Sequence, residues 1–532
     1  MPSTKKLLSI TNLKKYFPIA KSSIFQRQQY YVKANEDISL DIYEGETLGI
    51  VGESGCGKST LGRVLLQLYE QTAGTTMYYG MSRAELAPRY VTDTLRHAKR
   101  YISKLHAAQA RADTASAKVS QLGEAATFFD LQNKNLAVAE YQTAQAHIAK
   151  ILGGFLVRDT EQGAALLYRK ARLEERAAAL SDRIRDIELM LDEAEGGTAD
   201  NGKPANASQL ARLKGRCDRL TRERDGLNAQ IREAEQSIAA IKQAHRDDLE
   251  FQRYEAMLDD GIDLARLKYS EMRILRKDLQ IIFQDPYSSL NPRFTIGQII
   301  EEGLVTHKFF RHGSPKMREH VVRTMKECGL QEYMLFRYPH QFSGGQRQRI
   351  AIARALAVHP KFVVCDECVS ALDVSIQSQI INLLQELKQK EHLTYMFISH
   401  DLSVVRYISD RICVMYLGNV VELADAATVF GDPRHPYTVA LLSSIPTTDM
   451  ESLKKERILL EGSIPSPVKP PDGCKFHTRC WMACDKCRRV PPPLAEIEPG
   501  HFVACHFPER KLDENGNYLF EMPKTEKKSA KE

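Results

Sequence analysis

The stretch Gly52-Glu-Ser-Gly-Cys-Gly-Lys-Ser-Thr60 fits the phosphate-binding pattern G-x-x-x-x-G-K-[ST]. It follows a short apolar run, Thr47 to Val51, that reads as a buried strand, and it opens a segment with a helical pattern. Glycines let backbone N–H groups close around phosphate oxygens, and a helix that begins at the lysine adds its positive N-terminal end. The stretch therefore predicts a nucleotide site on a strand–loop–helix unit of an α/β fold, and this context disfavours a chance glycine loop.

The residues of this loop have separate predicted roles. We expect Lys58 to reach the outer phosphates and the Ser59 hydroxyl to ligate Mg²⁺. The residues predicted to bind the nucleotide are Gly52, Ser54, Gly55, Cys56, Gly57, Lys58, Ser59 and Thr60.

A second apolar run ends in two acids, in Lys361-Phe-Val-Val-Cys-Asp366-Glu367. We expect Asp366 to hold Mg²⁺, directly or through water, and Glu367 to orient or deprotonate the attacking water. Adjacent acids at a strand end also occur in solvated loops. The phosphate-binding loop in the same chain favours the catalytic interpretation.

Five further stretches are distinctive. They are Tyr16, Gln284 of Ile-Ile-Phe-Gln-Asp-Pro, the run Ser343, Gly344, Gly345 and Gln346, the run from Ser370 to Asp373, and His400 of Phe-Ile-Ser-His-Asp. They resemble, in that sequence, the aromatic residue that stacks on adenine, the Q-loop, the signature sequence, the D-loop and the switch histidine of ABC-type ATPases. The motifs also follow the order found in that family, which the chain therefore resembles. The resemblance implies that Gln284 and His400 act with Glu367 in catalysis. It also implies that Gln284 joins Ser59 and Asp366 around Mg²⁺.

Four longer segments narrow the resemblance. They are residues 275–293, the Pro-Arg-His-Pro-Tyr-Thr run at 433–438, the Gly-Ser-Ile-Pro-Ser-Pro run at 462–467, and residues 473–480. All four resemble segments of the ATPase subunits of oligopeptide and dipeptide importers. These importers carry two different ATPase chains, and Gly57-Lys-Ser-Thr-Leu-Gly-Arg63 is more similar to the second type. The resemblance covers about residues 7–80 and 261–508.

This resemblance implies both partners and mechanism. Two ATPase subunits would face head to tail, so that the phosphate loop of one and the signature sequence of the other enclose each ATP. The implied partners are a second, different ATPase subunit, two transmembrane permease subunits and, indirectly, an extracytoplasmic solute-binding protein, with no nucleic acid expected. ATP and Mg²⁺ are the implied cofactors, di- or oligopeptides the implied solutes, and the cytoplasmic face of the cell membrane the implied location.

Composition agrees with a protein that has no membrane span. Of 532 residues, 43% are apolar and 27% charged, and the net charge of +6 is too dilute to indicate nucleic-acid binding. We find no apolar run of about 18 residues or more, and the N-terminus lacks the apolar core and cleavage site of a signal peptide.

A change of composition near residue 82 predicts that a helical insertion interrupts the ATPase domain. Heptads run from Leu173 to Ala194 and from Leu210 to Ile241, with a turn-rich break at 196–208, which indicates an antiparallel coiled-coil hairpin. Each arm would reach roughly 50 Å. The hairpin could serve as a solvated spacer, which we favour slightly, or as a docking arm.

The sequence predicts an α/β fold with a coiled-coil insertion and a small Cys-rich extension. The resemblance implies that the α/β part is a P-loop ABC ATPase domain with a mixed sheet and a helical subdomain. The expected units are residues 1–81 (ATPase, first part), 82–260 (insertion), 261–446 (ATPase, second part), 447–510 (Cys-rich extension) and 511–532 (charged tail).

Coiled-coil insertions also occur in chromosome-maintenance and DNA-repair ABC ATPases, which form the alternative class. In those proteins the coil follows the Q-loop, whereas here it precedes Gln284. A third class, the translation-type ABC proteins, carries two cassettes in one chain, and this chain has one. Cys368, where relatives usually carry proline, is a departure that we do not expect to abolish hydrolysis.

Five of the eleven cysteines lie between Cys474 and Cys505, which is the mark of a metal or cluster site. Cys474, Cys480, Cys487 and Cys505 match the family's cysteine positions, and Cys484 is additional. Structural zinc sites usually use tight C-x2-C pairs, so this looser spacing favours a [4Fe–4S] cluster, which some relatives are understood to carry. Zinc is the alternative, and unliganded thiols are the third possibility.

Overall fold

The β-strands build two sheets in the computed structural model, which describes residues 5–21, 28–195, 207–310, 313–444 and 458–508. The strands are β1 (Lys6–Pro18), β2 (Tyr31–Tyr43), β3 (Thr47–Val51), β4 (Ala73–Tyr78), β5 (Ile262–Asp263), β6 (Leu279–Ile282), β7 (Phe362–Asp366), β8 (Thr394–Ile398), β9 (Arg411–Tyr416), β10 (Asn419–Asp425), β11 (Ala495–Glu498) and β12 (His501–Val503).

The first sheet is antiparallel, with the strand order β2-β1-β4-β5. The second sheet is mixed and has the order β11-β12-β10-β9-β3-β8-β7-β6, in which the strands from β9 to β6 are parallel. All five residues of β3 are buried between β8 and β9, as a short apolar strand inside a parallel sheet requires. The predicted α/β fold with a mixed sheet is confirmed.

Helices make up most of the segment between β4 and β5 and connect many of the other strands. They are α1 (Lys58–Leu65), α2 (Arg83–Leu86), α3 (Arg89–Arg96), α4 (Ala98–Leu122), α5 (Phe128–Leu152), α6 (Thr160–Glu195), α7 (Ala207–Ala244), α8 (Leu249–Glu255), α9 (Tyr269–Leu275), α10 (Pro286–Ser289), α11 (Ile296–Thr306), α12 (Pro315–Glu327), α13 (Gly344–Leu356), α14 (Val374–Glu391), α15 (Leu402–Ile408), α16 (Ala426–Gly431), α17 (Pro436–Ser443) and α18 (Asp485–Arg489). In the described part of the chain, no helix combines the length and hydropathy that a membrane span requires.

Two apolar cores hold the ATPase part together. One joins the two sheets to α1, and its buried members include Leu61 of α1, Ile38 of β2 and Ile50 of β3. The other joins the parallel sheet to α11, α12 and α13, and includes Ile300, Met325 and Ile350. The first core fixes the helix that follows the phosphate loop, and the second fixes the helix that follows the signature sequence.

The helical segment leaves and rejoins the ATPase part at neighbouring positions. Its helices α2 to α8 lie between β4 and β5, and Tyr78 of β4 pairs with Ile262 of β5. Because the two ends meet in one sheet, the segment can be accommodated without separating the strands that carry it. The helix α5 packs back onto the ATPase part, where the Thr143 hydroxyl accepts a hydrogen bond from the Gly74 amide.

The helices α6 and α7 share one buried apolar cluster. Its members include residues from both predicted heptad arrays: Leu173, Ala177, Leu180, Ile184, Ile187, Leu220 and Leu227. Asp159 pairs with His245 and Lys170 with Glu235, so the start of α6 lies beside the end of α7 and the helices run antiparallel. Most of the predicted turn at 196–208 and the predicted tail at 511–532 lie outside the described residues, and the coiled-coil interpretation stays a prediction.

Candidate functional site

The predicted phosphate loop connects β3 to α1 through backbone conformations that glycine adopts readily. Gly57 has φ 102° and caps α1 in the left-handed region. A Cβ atom at this position would lie 2.1 Å from the carbonyl oxygen of Ala34. The loop therefore requires glycine here for both its backbone angle and its close approach to β2.

Gly57→Ala is expected to weaken ATP binding at least roughly tenfold, because the new methyl group must displace β2 and the left-handed conformation costs a non-glycine residue about 1–2 kcal/mol. Titration of a fluorescent ATP analogue measures the dissociation constant. Gly215→Ala in α7 is the matched control, since no heavy atom outside the adjacent residues and the local backbone of α7 lies within 4 Å of its Cβ position. Equal affinities for the two variants would contradict this account of the loop.

Lys58 lies inside the loop. Its side chain is buried, and Nζ donates hydrogen bonds to the carbonyl oxygens of Gly52 at 2.7 Å and Glu53 at 3.1 Å. Cys56 is buried below the loop, whereas Ser54 and Gly55 are exposed at its tip. The ammonium group is thus fixed across the concave loop by main-chain acceptors.

The predicted magnesium ligands Ser59 and Asp366 are in direct contact. The Ser59 hydroxyl donates to Asp366 Oδ1 at 2.6 Å, and the Asp366 carboxylate is buried at the end of β7. Arg63 Nη2 lies 3.3 Å from Asp366 Oδ2. Our sequence reasoning missed Arg63 as a partner of the acid, although its position four residues after Ser59 places both on one face of α1.

Glu367 lies at the centre of the predicted catalytic residues. Its carboxylate accepts a hydrogen bond from Gln284 Nε2 at 2.7 Å, and His400 Nδ1 lies 3.7 Å from the same oxygen. The three residues follow the adjacent parallel strands β6, β7 and β8, whose carboxyl ends meet at one edge of the sheet. Gln284 therefore contacts the Glu367 carboxylate, and its predicted role as a magnesium ligand stays a prediction.

The predicted signature sequence forms the start of α13. Ser343 is the N-cap: its hydroxyl accepts a hydrogen bond from the Gln346 amide, and the Gln346 side chain accepts one from the Ser343 amide. Ser343 is exposed, Gly344 and Gln346 are partly exposed and Gly345 is buried, while Phe342 anchors the segment in the core. This arrangement presents a helix N-terminus to solvent, which is an anion-binding feature.

The predicted stacking of Tyr16 on adenine is not supported by its position, and we correct it. Tyr16 is 4% exposed, and its hydroxyl donates to Glu36 Oε1 at 2.7 Å. An enclosed ring offers no free face to a base. Successive strand residues point to opposite faces, so the adjacent Phe17 points away from this buried side and is partly exposed.

Cys368 occupies a buried position directly after Glu367. A hydrogen bond with Cys368, together with burial, raises the pKa of the Cys365 thiol at the end of β7. Glu367 itself has φ 49°, and its carbonyl oxygen accepts hydrogen bonds from the Ser370 amide and hydroxyl. The two thiols therefore act as small packing groups below the acids.

Four of the five C-terminal cysteines line one small pocket. They are the four that were predicted to bind a cluster: Cys474, Cys480, Cys487 and Cys505. Burial raises the pKa of Cys480 to about 12 and that of Cys505 to about 11. His435 and His477 also line the pocket, while the additional Cys484 lies 3.8 Å from Cys487, sulfur to sulfur. Across the described ranges, no three His, Cys, Asp or Glu side chains already have the arrangement of a metal site.

Comparison with known proteins agrees with the geometry at the sheet edge. The ABC transporter family matches residues 35–158 and 219–370. The chain belongs to the ABC transporter family. The gap in the match, between residues 158 and 219, falls on α6 and the first part of α7. A second family, the C-terminal region of oligopeptide/dipeptide transporters, matches residues 421–487 of this ABC ATPase.

Two Bacillus subtilis (strain 168) proteins are similar to this ABC ATPase. The protein YkfD is 53% identical over 248 residues, which cover 46% of this chain and 75% of YkfD. The oligopeptide transport ATP-binding protein AppF is 52% identical over 254 residues, which cover 47% of this chain and 76% of AppF. Most of each relative is therefore matched by about half of this longer chain.

Proposed function

We propose that this ABC ATPase powers the import of di- or oligopeptides, as the second of two different ATPase subunits that dock on two permease subunits at the cytoplasmic face of the membrane. The observation that carries the proposal is the match of residues 421–487 to the oligopeptide/dipeptide transporter C-terminal region. An extracytoplasmic binding protein would deliver the peptide. The similarity to AppF, an oligopeptide transport protein, supports the same solute class.

The residues around the sheet edge support a mechanism for ATP hydrolysis. Lys58 and the loop amides would bind the outer phosphates, while Ser59 and Asp366 would hold Mg²⁺, which neutralises phosphate charge when bound. Glu367 would accept the proton of the attacking water. Gln284 and His400 orient the Glu367 carboxylate from the two flanking strands. The N-terminus of α13, which Ser343 caps, would complete the ATP site of the second ATPase subunit.

Affinity purification tests the proposed assembly. The tagged chain is purified from detergent-solubilised native membranes, and the proteins that accompany it are identified by mass spectrometry. We expect two multi-span permeases and a second, different ATPase. Recovery from the soluble fraction with nucleic acid or chromosome proteins would instead support the DNA-repair class. The position of the helical segment, between β4 and β5 and therefore before Gln284, argues against that class.

We also propose that Cys474, Cys480, Cys487 and Cys505 bind a [4Fe–4S] cluster, with zinc as the alternative. Their side chains line one pocket, and four thiolates are the usual donor set of such a cluster. Because burial keeps these thiols protonated, loading must release protons, and the bound group would hold the extension together. The role we assign to the group is structural.

Cys480→Ser is expected to abolish the visible absorbance and the iron content of the anaerobically purified chain, because one thiolate ligand is lost. Cys484→Ser is the matched control and should retain about four iron atoms per chain, as a [4Fe–4S] cluster requires. Iron, sulfide and zinc analyses of both variants measure the outcome. Zinc without iron in the wild-type chain would refute the cluster.

For the helical segment we propose a coiled-coil arm, formed by α6 and α7, that acts as a solvated spacer. Deleting residues 85–258 and joining the ends with a short linker is expected to leave peptide transport and permease recovery unchanged, because Tyr78 and Ile262 are already paired in one sheet. Transport in reconstituted vesicles and co-purification are the measurements. Loss of permease recovery with intact ATP hydrolysis would show that the arm docks a partner.

A further inference from the structure

The cysteine-rich extension contacts the phosphate loop directly. Arg479, which precedes Cys480, donates from Nη1 to Glu53 Oε2 at 2.8 Å and from Nη2 to Glu53 Oε1 at 3.1 Å. Glu53 is the second residue of the phosphate loop. The Arg479 side chain is 7% exposed and the Glu53 side chain 24% exposed. Two parallel hydrogen bonds of this kind fix the orientation of the carboxylate and also compensate its charge.

Glu53 is held at its main chain as well as its carboxylate. Its amide donates to the hydroxyl of the buried Tyr437 at 2.8 Å. Its carbonyl oxygen accepts hydrogen bonds from the Cys56 amide at 3.2 Å and from Lys58 Nζ at 3.1 Å. Glu53 thus links two residues of the C-terminal part to the lysine that is expected to bind phosphate.

The segment that carries Arg479 is itself anchored to the ATPase part. Phe476 is buried and packs edge-on against the rings of Tyr416 and Tyr437. Lys475 Nζ lies 3.0 Å from Glu36 Oε2 and donates to the carbonyl oxygen of Leu417. Arg479 therefore approaches the loop from a fixed support.

The charge balance at the loop also requires a cation beside Glu53. A carboxylate that is three-quarters buried next to a phosphate site repels the anion that the loop must bind, and leaving one partner of a buried ion pair alone is costly. Arg479 balances this charge through its two hydrogen bonds to the carboxylate.

We propose that Arg479 is a positioning residue for ATP: its guanidinium holds Glu53, and through Glu53 the phosphate loop, in the conformation that binds the nucleotide. The proposal rests on the ATPase activity and is independent of the transported solute. It gives the cysteine-rich extension a direct connection to the nucleotide site.

Binding of a fluorescent ATP analogue to the purified full chain tests the proposal without hydrolysis or transport. Arg479→Met is expected to raise the dissociation constant about tenfold with unchanged stoichiometry, since charge-assisted hydrogen bonds are the strong ones in this loop. Arg479→Lys keeps the charge and loses the two-point geometry. Its dissociation constant should lie between those of the wild-type chain and Arg479→Met. Arg488→Met is the control, because Arg488 is exposed in the same extension and pairs only distantly with Asp485.

A double-mutant cycle shows whether Arg479 acts through Glu53. In a Glu53→Gln chain, the further change of Arg479 to Met is expected to alter the dissociation constant less than twofold. An equal loss in both backgrounds would overturn the proposal, as would an unchanged dissociation constant in Arg479→Met. A fall in stoichiometry alone would indicate a purely structural role and would also overturn it. If Arg479→Met fails to fold, the same cycle is measured with Arg479→Lys.

Discussion

Glu367→Gln is expected to slow ATP hydrolysis by roughly 100- to 10,000-fold, which is the usual contribution of a general base. The side-chain amide of the introduced glutamine has nearly the size of the carboxylate. It can still accept the hydrogen bond that Gln284 donates to Glu367 at 2.7 Å in the wild-type chain. It cannot accept the proton of the attacking water. ATP binding should persist, because Glu367 follows Asp366 and does not belong to the phosphate loop.

Phosphate release by the assembled transporter measures this effect, and titration of a fluorescent ATP analogue checks that binding is retained. Glu386→Gln is the matched control, since Glu386 is an exposed glutamate on α14 and should leave the rate unchanged. Hydrolysis within a fewfold of wild type in Glu367→Gln would remove Glu367 from the proposed mechanism.

Lys58→Met is expected to weaken ATP binding roughly 100-fold, because a charged hydrogen-bond donor to phosphate is lost from a buried position. The side chain lies inside the loop, where Nζ is fixed by the Gly52 and Glu53 carbonyl oxygens. Methionine keeps the apolar stem and removes the charge, so packing is changed little.

The same titration measures the loss. The control is Lys326→Met, which removes an exposed lysine whose partner, Glu332, lies 3.5 Å away. If Lys58→Met binds the analogue as tightly as the control does, the loop does not use its lysine for phosphate. Thermal unfolding of both variants shows whether the loss reflects the site or the fold.

The parts of the site that could be predicted from sequence are local or follow from adjacent parallel strands. The glycine loop between β3 and α1 is encoded by consecutive residues. Glu367, Gln284 and His400 each follow a strand, and neighbouring parallel strands bring such residues to one edge. The resemblance to the family indicated the roles of these residues from the order of their motifs along the chain. The strand pairing explains why their side chains lie close together.

The parts that could not be predicted depend on side-chain direction and on distant contacts. The burial of Tyr16 follows from the face of β1 on which it lies, and a motif match carries no such information. The pairing of Arg479 with Glu53 joins positions 426 residues apart. No local pattern signals such a contact, which arises only when the extension packs against the ATPase part.

The most direct test of the central claim is the uptake of a labelled peptide by cells that lack this chain. Uptake should be lost in the deletion strain, restored by the wild-type chain and not restored by Glu367→Gln, because import depends on hydrolysis at this site. Undiminished uptake in the deletion strain, or full rescue by Glu367→Gln, would contradict the proposal that this ATPase powers peptide import.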